Sequence, residues 1–209
     1  MVEHVDRAAL DAGIRSAAEA GDMDAAATRA IEGYGPEIYR FLAAFHRDET
    51  RADEVFALWC GQVWEKLAGF RWQASFRTWA FSVARHAALH HRRGDQNEAR
   101  RARPLDDAGP ASALAEVVRS RTRPYLRTEV KDRFAELRAE LPEEDRLLLG
   151  LRLDRELPWR DVAEIMAPDE CATDSGVKLV AARLRKRFEA TKERLAARMR
   201  EVGLADDEP

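Results

Sequence analysis

Apolar residues recur at three- and four-residue spacing along almost the whole chain, and no stretch sustains the period-two alternation of a half-buried strand. Such a chain has to build its core from amphipathic helices. Ile38, Phe41, Leu42 and Phe45 lie on one stripe, and Phe56, Cys60, Val63, Leu67 and Phe70 trace a second after the polar break His46 to Arg51. The segment GFRWQA that follows leaves no room for a full turn, which predicts a loop at 69–75 with Ser75 capping the helix FRTWAFSVARHAALHHRR.

Gly94, Pro104, Gly109, Pro110 and Pro124 then punctuate a polar tract, which predicts a linker with a short helix around Ala113 to Arg119. Beyond it Val130, Phe134, Leu137 and Leu141 form another stripe, and Pro142 followed by three acids has the chemistry of a helix N-terminus. Pro158 to Met166 reads as a two-turn amphipathic helix, followed by a turn and a longer basic helix from about Ser175, the order of a helix-turn-helix. On that second helix Val177, Val180, Ala181, Leu184 and Phe188 share one side, Lys178, Arg185, Lys186 and Glu189 the other, with Arg183 and Arg187 at the flank. The expected fold is all-α: two small helical domains joined by a flexible linker, the C-terminal one containing the helix-turn-helix.

Charge divides the chain more sharply than its net −3 suggests, because residues 71–103 carry +6 and residues 176–200 carry +7 against acidic surroundings. Two such islands fit two nucleic-acid contacts, although solvated helix faces would give the same counts. In the first island aromatics interleave with the cations: Phe70, Arg71, Trp72, Phe76, Arg77, Trp79, Phe81, Arg85, His86, Arg92 and Arg93. Ring faces beside cations suit unstacked bases. Phe76, Trp79 and Val83 also sit at core spacing, so Trp72 in the loop is the aromatic expected to be exposed. The second island, plainly basic with its one aromatic, Phe188, on the apolar side, suits a duplex groove, and a plain helical hairpin is the alternative.

Other function classes find little support. No apolar run approaches the ~18 residues of a membrane span, and the N-terminus lacks the apolar core of a signal peptide. Only Cys60 and Cys171 are present, without paired spacing, so a reducing cytoplasm is expected. His86 and His90 stand at i and i+4 but have neither an intervening Glu nor a third ligand, and no phosphate loop, dinucleotide fingerprint or nucleophile elbow occurs. Neither enzyme activity nor a metal or cofactor is expected.

Taken in order, AEAGDMDAAATRAIEGYGPEIYRFL, ADEVFALWCGQVWEKLAGF, SFRTWAFSVARHAALHHRR and LPEEDRLLLGLRLDRELPWRDVAEIM with VKLVAARLRKRF resemble the bacterial sigma factors of the extracytoplasmic-function class, a group of the sigma-70 superfamily. The likeness runs from about Ala18 to Leu195. It implies a region 2-like domain at 1–93, of which 1–17 is an N-terminal extension, a linker at 94–125, a region 4-like helix-turn-helix domain at 126–200 and an acidic tail at 201–209. The implied partners are core RNA polymerase, through its beta-prime clamp helices and beta flap, promoter DNA and an anti-sigma factor. The polymerase surface would include Asp53, Glu54, Ala57, Trp64 and Leu67. The minus-ten element would be melted and read by Arg71, Trp72, Gln73, Arg77, Trp79, Ser82, Arg85, His86, His90, Arg92 and Arg93. The minus-thirty-five element would be read by Trp159, Arg160, Ser175, Lys178, Ala182, Arg183, Arg185 and Lys186.

The chain departs from that pattern where the family usually carries Gln, Phe and Leu in the polymerase-binding helix and here has Ala57, Cys60 and Gly61. His86 and His90 replace Asn and Asp, Leu179, Val180 and Ala182 replace a Ser-Arg pair and a His, and the turn APDECATDSG is longer. A stand-alone helix-turn-helix regulator and a sigma-derived protein-interaction module therefore remain as alternatives.

Overall fold

The computed structural model describes residues 6–46, 48–92, 109–129 and 133–202. Every regular element among them is helical: α1 (Arg7–Glu19), α2 (Met23–His46), α3 (Glu49–Lys66), α4 (Phe76–Arg92), α5 (Pro110–Glu129), α6 (Arg133–Ala139), α7 (Glu143–Leu149), α8 (Trp159–Met166) and α9 (Asp174–Glu201). They fall into two compact units, Met1–Leu126 and Arg127–Pro209.

Short polar side chains set the helix starts. Asp6 accepts from the Ala8 and Ala9 amides, Asp48 from Thr50 and Arg51, Ser75 Oγ from Thr78 at 3.0 Å and Thr173 Oγ1 from Gly176 at 3.1 Å. Each bond satisfies an amide that the first helical turn leaves without a partner. The loop expected at 69–75 is present: a 3-10 turn at Leu67–Gly69 leads into non-helical chain, and α4 begins directly after the Ser75 cap.

In the first unit α2 packs against α1, α3 and α4. Its core is aromatic, with Phe41 edge-on to Phe81 at 5.2 Å and Phe56 between Tyr39 at 5.2 Å and Trp59 at 5.5 Å. Trp59 is fully buried, and its indole N–H donates to the Ala80 carbonyl at 3.0 Å, so the largest side chain in the core brings no unsatisfied donor with it. The stretch read as an N-terminal extension is, from Arg7, an integral helix: Ile14 is fully buried and Tyr34 Oη donates to Asp11 at 2.6 Å. Burial and then that bond hold the Tyr34 hydroxyl well above its ordinary titration range.

Of the linker expected at 94–125, residues 94–108 lie outside the described residues, and the rest needs correction. Residues 110–125 lie within α5, a single 20-residue helix in place of a flexible tract with a short helix at 113–119. Ala111, Ala115, Val118 and Thr122, at i, i+4, i+7 and i+11, are buried within the first unit. The seat exists because Gly35 has no side chain: a Cβ there would stand 3.0 Å from Val118 Cγ1 and 3.3 Å from Phe56 Cζ.

In the second unit Leu147, Leu148, Leu149, Leu151 and Leu157 meet Val162, Ala163 and Ile165 of α8 and the expected stripe of α9, which continues through Thr191 and Leu195. Pro142 opens α7, and Glu143, Glu144 and Asp145 occupy its first turn. Asp145 is more than a helix-end acid. It is 2% exposed, and its carboxylate takes Arg187 Nε at 2.5 Å and Arg194 Nη2 at 2.9 Å.

Candidate nucleic-acid interface

Around the loop after α3, the aromatic side chains of the first basic island form one cluster. Phe70 lies 4.8 Å from Trp72, 5.0 Å from Trp79 and 5.9 Å from Phe76, and Phe76 lies 5.1 Å from Trp79. Phe76 and Phe81 are fully buried, whereas Phe70, Trp72 and Trp79 are half-buried, so the cluster grades from core to surface. Trp72 has a φ of 58°, a conformation uncommon for a residue with a side chain. It is less open than expected, because Arg15 of α1 stands 5.6 Å over its ring and Arg15 itself pairs with Glu19 at 2.8 Å. Sequence periodicity gives no signal for that approach, since the two residues sit on different elements.

Arg71 and Gln73 flank Trp72 and are exposed. Arg77 turns inward: its guanidinium pairs with Glu37 of α2, lies 5.6 Å over Phe81, and its side chain is only 11% exposed. That pairing makes Arg77 a brace between α2 and α4. Ser82 is half-buried and donates to the Thr78 carbonyl at 3.1 Å, Arg85 is half-buried, and His86 is exposed. The side chains of His90 and Arg92, and Arg93 entirely, lie outside the described residues.

On α3 and the 3-10 turn after it, the expected polymerase-facing residues part company. Glu54 is exposed, Ala57 and Trp64 are half-buried, and Leu67 is 3% exposed, a core side chain that can touch no partner without local opening. Asp53 accepts from Tyr39 Oη at 2.6 Å and is paired with Arg123 of α5. Burial and the Asp53 bond push the Tyr39 hydroxyl up to about 12.

In the second unit the basic helix presents Ser175, Lys178, Ala182, Arg185 and Lys186 to solvent. Trp159 is half-buried, edge-on to Phe188 at 5.4 Å, with Arg152 and Arg185 over its ring at 5.3 and 5.6 Å. Acids reach several of the cations: Lys178 pairs with Asp174 at 2.8 Å, Arg160 with Asp174 at 3.4 Å and Glu164 at 3.2 Å, and Arg183 makes a two-pronged pair with Glu170 at 2.7 and 2.9 Å. The Arg183 bonds hold the Glu170 carboxyl below its ordinary range, and Lys178 does the same for Asp174. Leu179, on the same face, is 69% exposed.

Among the described residues no helix is long and apolar enough to cross a membrane, and no three His, Cys, Asp or Glu side chains are grouped to hold a metal ion.

Residues 30–98 match the family model of sigma-70 region 2, a span that takes in most of α2, all of α3 and α4 and the aromatic loop between them. No curated protein and no solved structure matches the chain. The family match supports a sigma factor's role in transcription initiation, with core RNA polymerase and promoter DNA as the partners that the family implies.

Proposed function

We propose that the chain is an alternative sigma factor of the extracytoplasmic-function class, which binds core RNA polymerase and directs it to particular promoters without bond chemistry of its own. The observation that carries this reading is the coincidence of the region 2 match with the graded cluster Phe70, Trp72, Phe76 and Trp79, flanked by Arg71 and Arg85. Opening a duplex without a nucleotide fuel requires binding energy that offsets a few kcal/mol for each unstacked base, and half-buried rings next to cations are the groups that supply it. The first unit thus melts and reads the minus-ten element through Arg71, Trp72, Gln73, Trp79, Ser82, Arg85 and His86. Arg77 contributes by holding α4 on α2. Docking on the clamp helices uses α3 around Asp53, Glu54, Ala57 and Trp64. In the second unit α8 and α9 act as a helix-turn-helix that sets Lys178, Ala182, Arg185 and Lys186 in the minus-thirty-five groove, and an anti-sigma factor acting in the cytoplasm completes the scheme.

The test is transcription by purified core polymerase, with and without the protein, over a panel of genomic promoters, together with direct core binding. Promoter-specific transcripts that depend on the protein support the reading. Duplex binding without core association would replace it with a stand-alone regulator.

A second reading, a sigma-derived protein-interaction module, is favoured by one observation: on α9 the exposed Leu179 stands among cations already engaged by Asp174 and Glu170. Salt distinguishes the two. Several phosphate contacts make affinity fall steeply with ionic strength, whereas an apolar protein contact leaves it nearly flat.

A further inference from the structure

Helix α5 reaches Asp53, one of the α3 residues that the proposed function gives to the polymerase. Its buried stripe, Ala111, Ala115, Val118 and Thr122, is made of small side chains. Val118 occupies the hollow above Gly35 and beside Phe56. One residue and five residues further on, two arginines reach Asp53: Arg119 Nη1 donates to its backbone carbonyl at 3.4 Å, and Arg123 pairs with its carboxylate. Arg123 Nε also lies 3.1 Å from Glu49 and 3.5 Å from the Tyr39 hydroxyl, so one guanidinium joins α5 to both α2 and α3. The carboxylate that would greet a partner is therefore already satisfied from within the chain, with a side-chain exposure of 19%.

The same contact is built to open. Arg123 is 36% exposed, so water can reach and replace its pairs. The Nε of Arg119 is buried without a hydrogen-bond partner, a cost that α5 sheds when it lifts away. The buried stripe contains no side chain larger than Val, so little apolar surface holds the helix down.

We propose that α5 is an intramolecular cover for the Asp53 face of α3, and that it competes with the polymerase clamp helices for this face. The inference rests on the sigma-factor reading above. The covered and open forms exchange, only the open form docks, and the apparent affinity for core polymerase is the intrinsic affinity reduced by the open fraction. Release frees Asp53 and Glu49 for basic groups of the partner and hands the Phe56 edge from Val118 to the partner's apolar side chains.

The full-length chain tests this in two opposite directions. In the variant Gly35→Cys with Val118→Cys, oxidation pins α5 to α2 and reduction releases it, with Cys60 and Cys171 replaced by Ser to keep the new bridge the only one. A second variant, Arg119→Ala with Arg123→Ala, loosens the cover. The readout is the Kd for purified core polymerase by fluorescence anisotropy. The expected result is loss of binding on oxidation, recovery on adding dithiothreitol, and about tenfold tighter binding by the double-Ala variant than by the parent chain. Equal affinity of the oxidised and reduced bridge, with both binding core, overturns the cover and leaves the sigma-factor reading in place. Failure of the parent, the reduced bridge and the double-Ala variant alike to bind core overturns both. Circular dichroism of each variant verifies that the helices are intact.

Discussion

Replacing Asp145 with Ala removes a carboxylate that is 2% exposed and holds two arginines from the far side of its unit. Arg187 and Arg194 are seven residues apart on α9, two helical turns, so both project on one side and converge on the first turn of α7. Charge-assisted hydrogen bonds contribute about 1.5–3 kcal/mol each. The arginines are 41% and 54% exposed and regain water once released, which places each bond at the low end of that range. The expected loss for Asp145→Ala is about 3 kcal/mol, with a few tenths more from the lost negative charge at the α7 N-terminus. Asp145→Asn keeps the shape but points amide protons at a guanidinium, so it costs at least as much. Arg187→Ala and Arg194→Ala singly cost about 1.5 kcal/mol each, and together more than their sum, because the buried carboxylate is then left alone. Amide hydrogen exchange of α7 and α9 in the full-length chain reads this as a rise of roughly a hundredfold in exchange rate. A loss below about 1 kcal/mol for Asp145→Ala, or strict additivity of the two arginine variants, would refute the reasoning.

Three further outcomes follow from geometry elsewhere. Gly176→Ala places a Cβ 2.1 Å from the Glu170 backbone carbonyl oxygen, which a rotamer change cannot relieve, so it should cost more than about 2 kcal/mol in thermal denaturation, where an ordinary helix-start Gly→Ala change would be neutral or better. Cys60 is fully buried and burial pushes its thiol up, so iodoacetamide should label Cys171 first and Cys60 only on unfolding; equal rates in the native protein contradict that placement. Glu170 and Asp174 are held below their ordinary range, so their pairs with Arg183 and Lys178 contribute stability above the ordinary carboxyl pKa of about 4 and lose it as pH falls through the lowered folded values. Carbon-detected NMR titration of both carboxyls should show midpoints below those of the unfolded chain, and unshifted midpoints would mean that the pairs do not persist in solution.

The elements themselves were legible from short-range pattern. Stripes at helical spacing, the cap Ser75, the polar break from His46 to Arg51, the loop at 69–75 and the paired helices ending in α9 all depend on residues within a turn or two of each other, which is the range over which sequence spacing and backbone hydrogen bonding are coupled. The two basic islands were legible for the same reason, since charge is counted along the chain.

Tertiary structure alone decided which charges meet. Arg123 reaches Asp53 across 70 residues, Arg77 reaches Glu37 across 40, and Arg187 and Arg194 reach Asp145 across 42 and 49, and no periodicity links such positions. The same holds for α5, whose Ala, Ala, Val and Thr stripe is too weakly apolar to stand out between Pro110 and Pro124 and becomes a buried face only where Gly35 leaves room for it. The chain on its own thus specified where most of the helices form and where positive charge accumulates. Packing determined which of those charges remain available to a partner, because an ion pair or a close approach depends on distances in space that the order of residues does not contain.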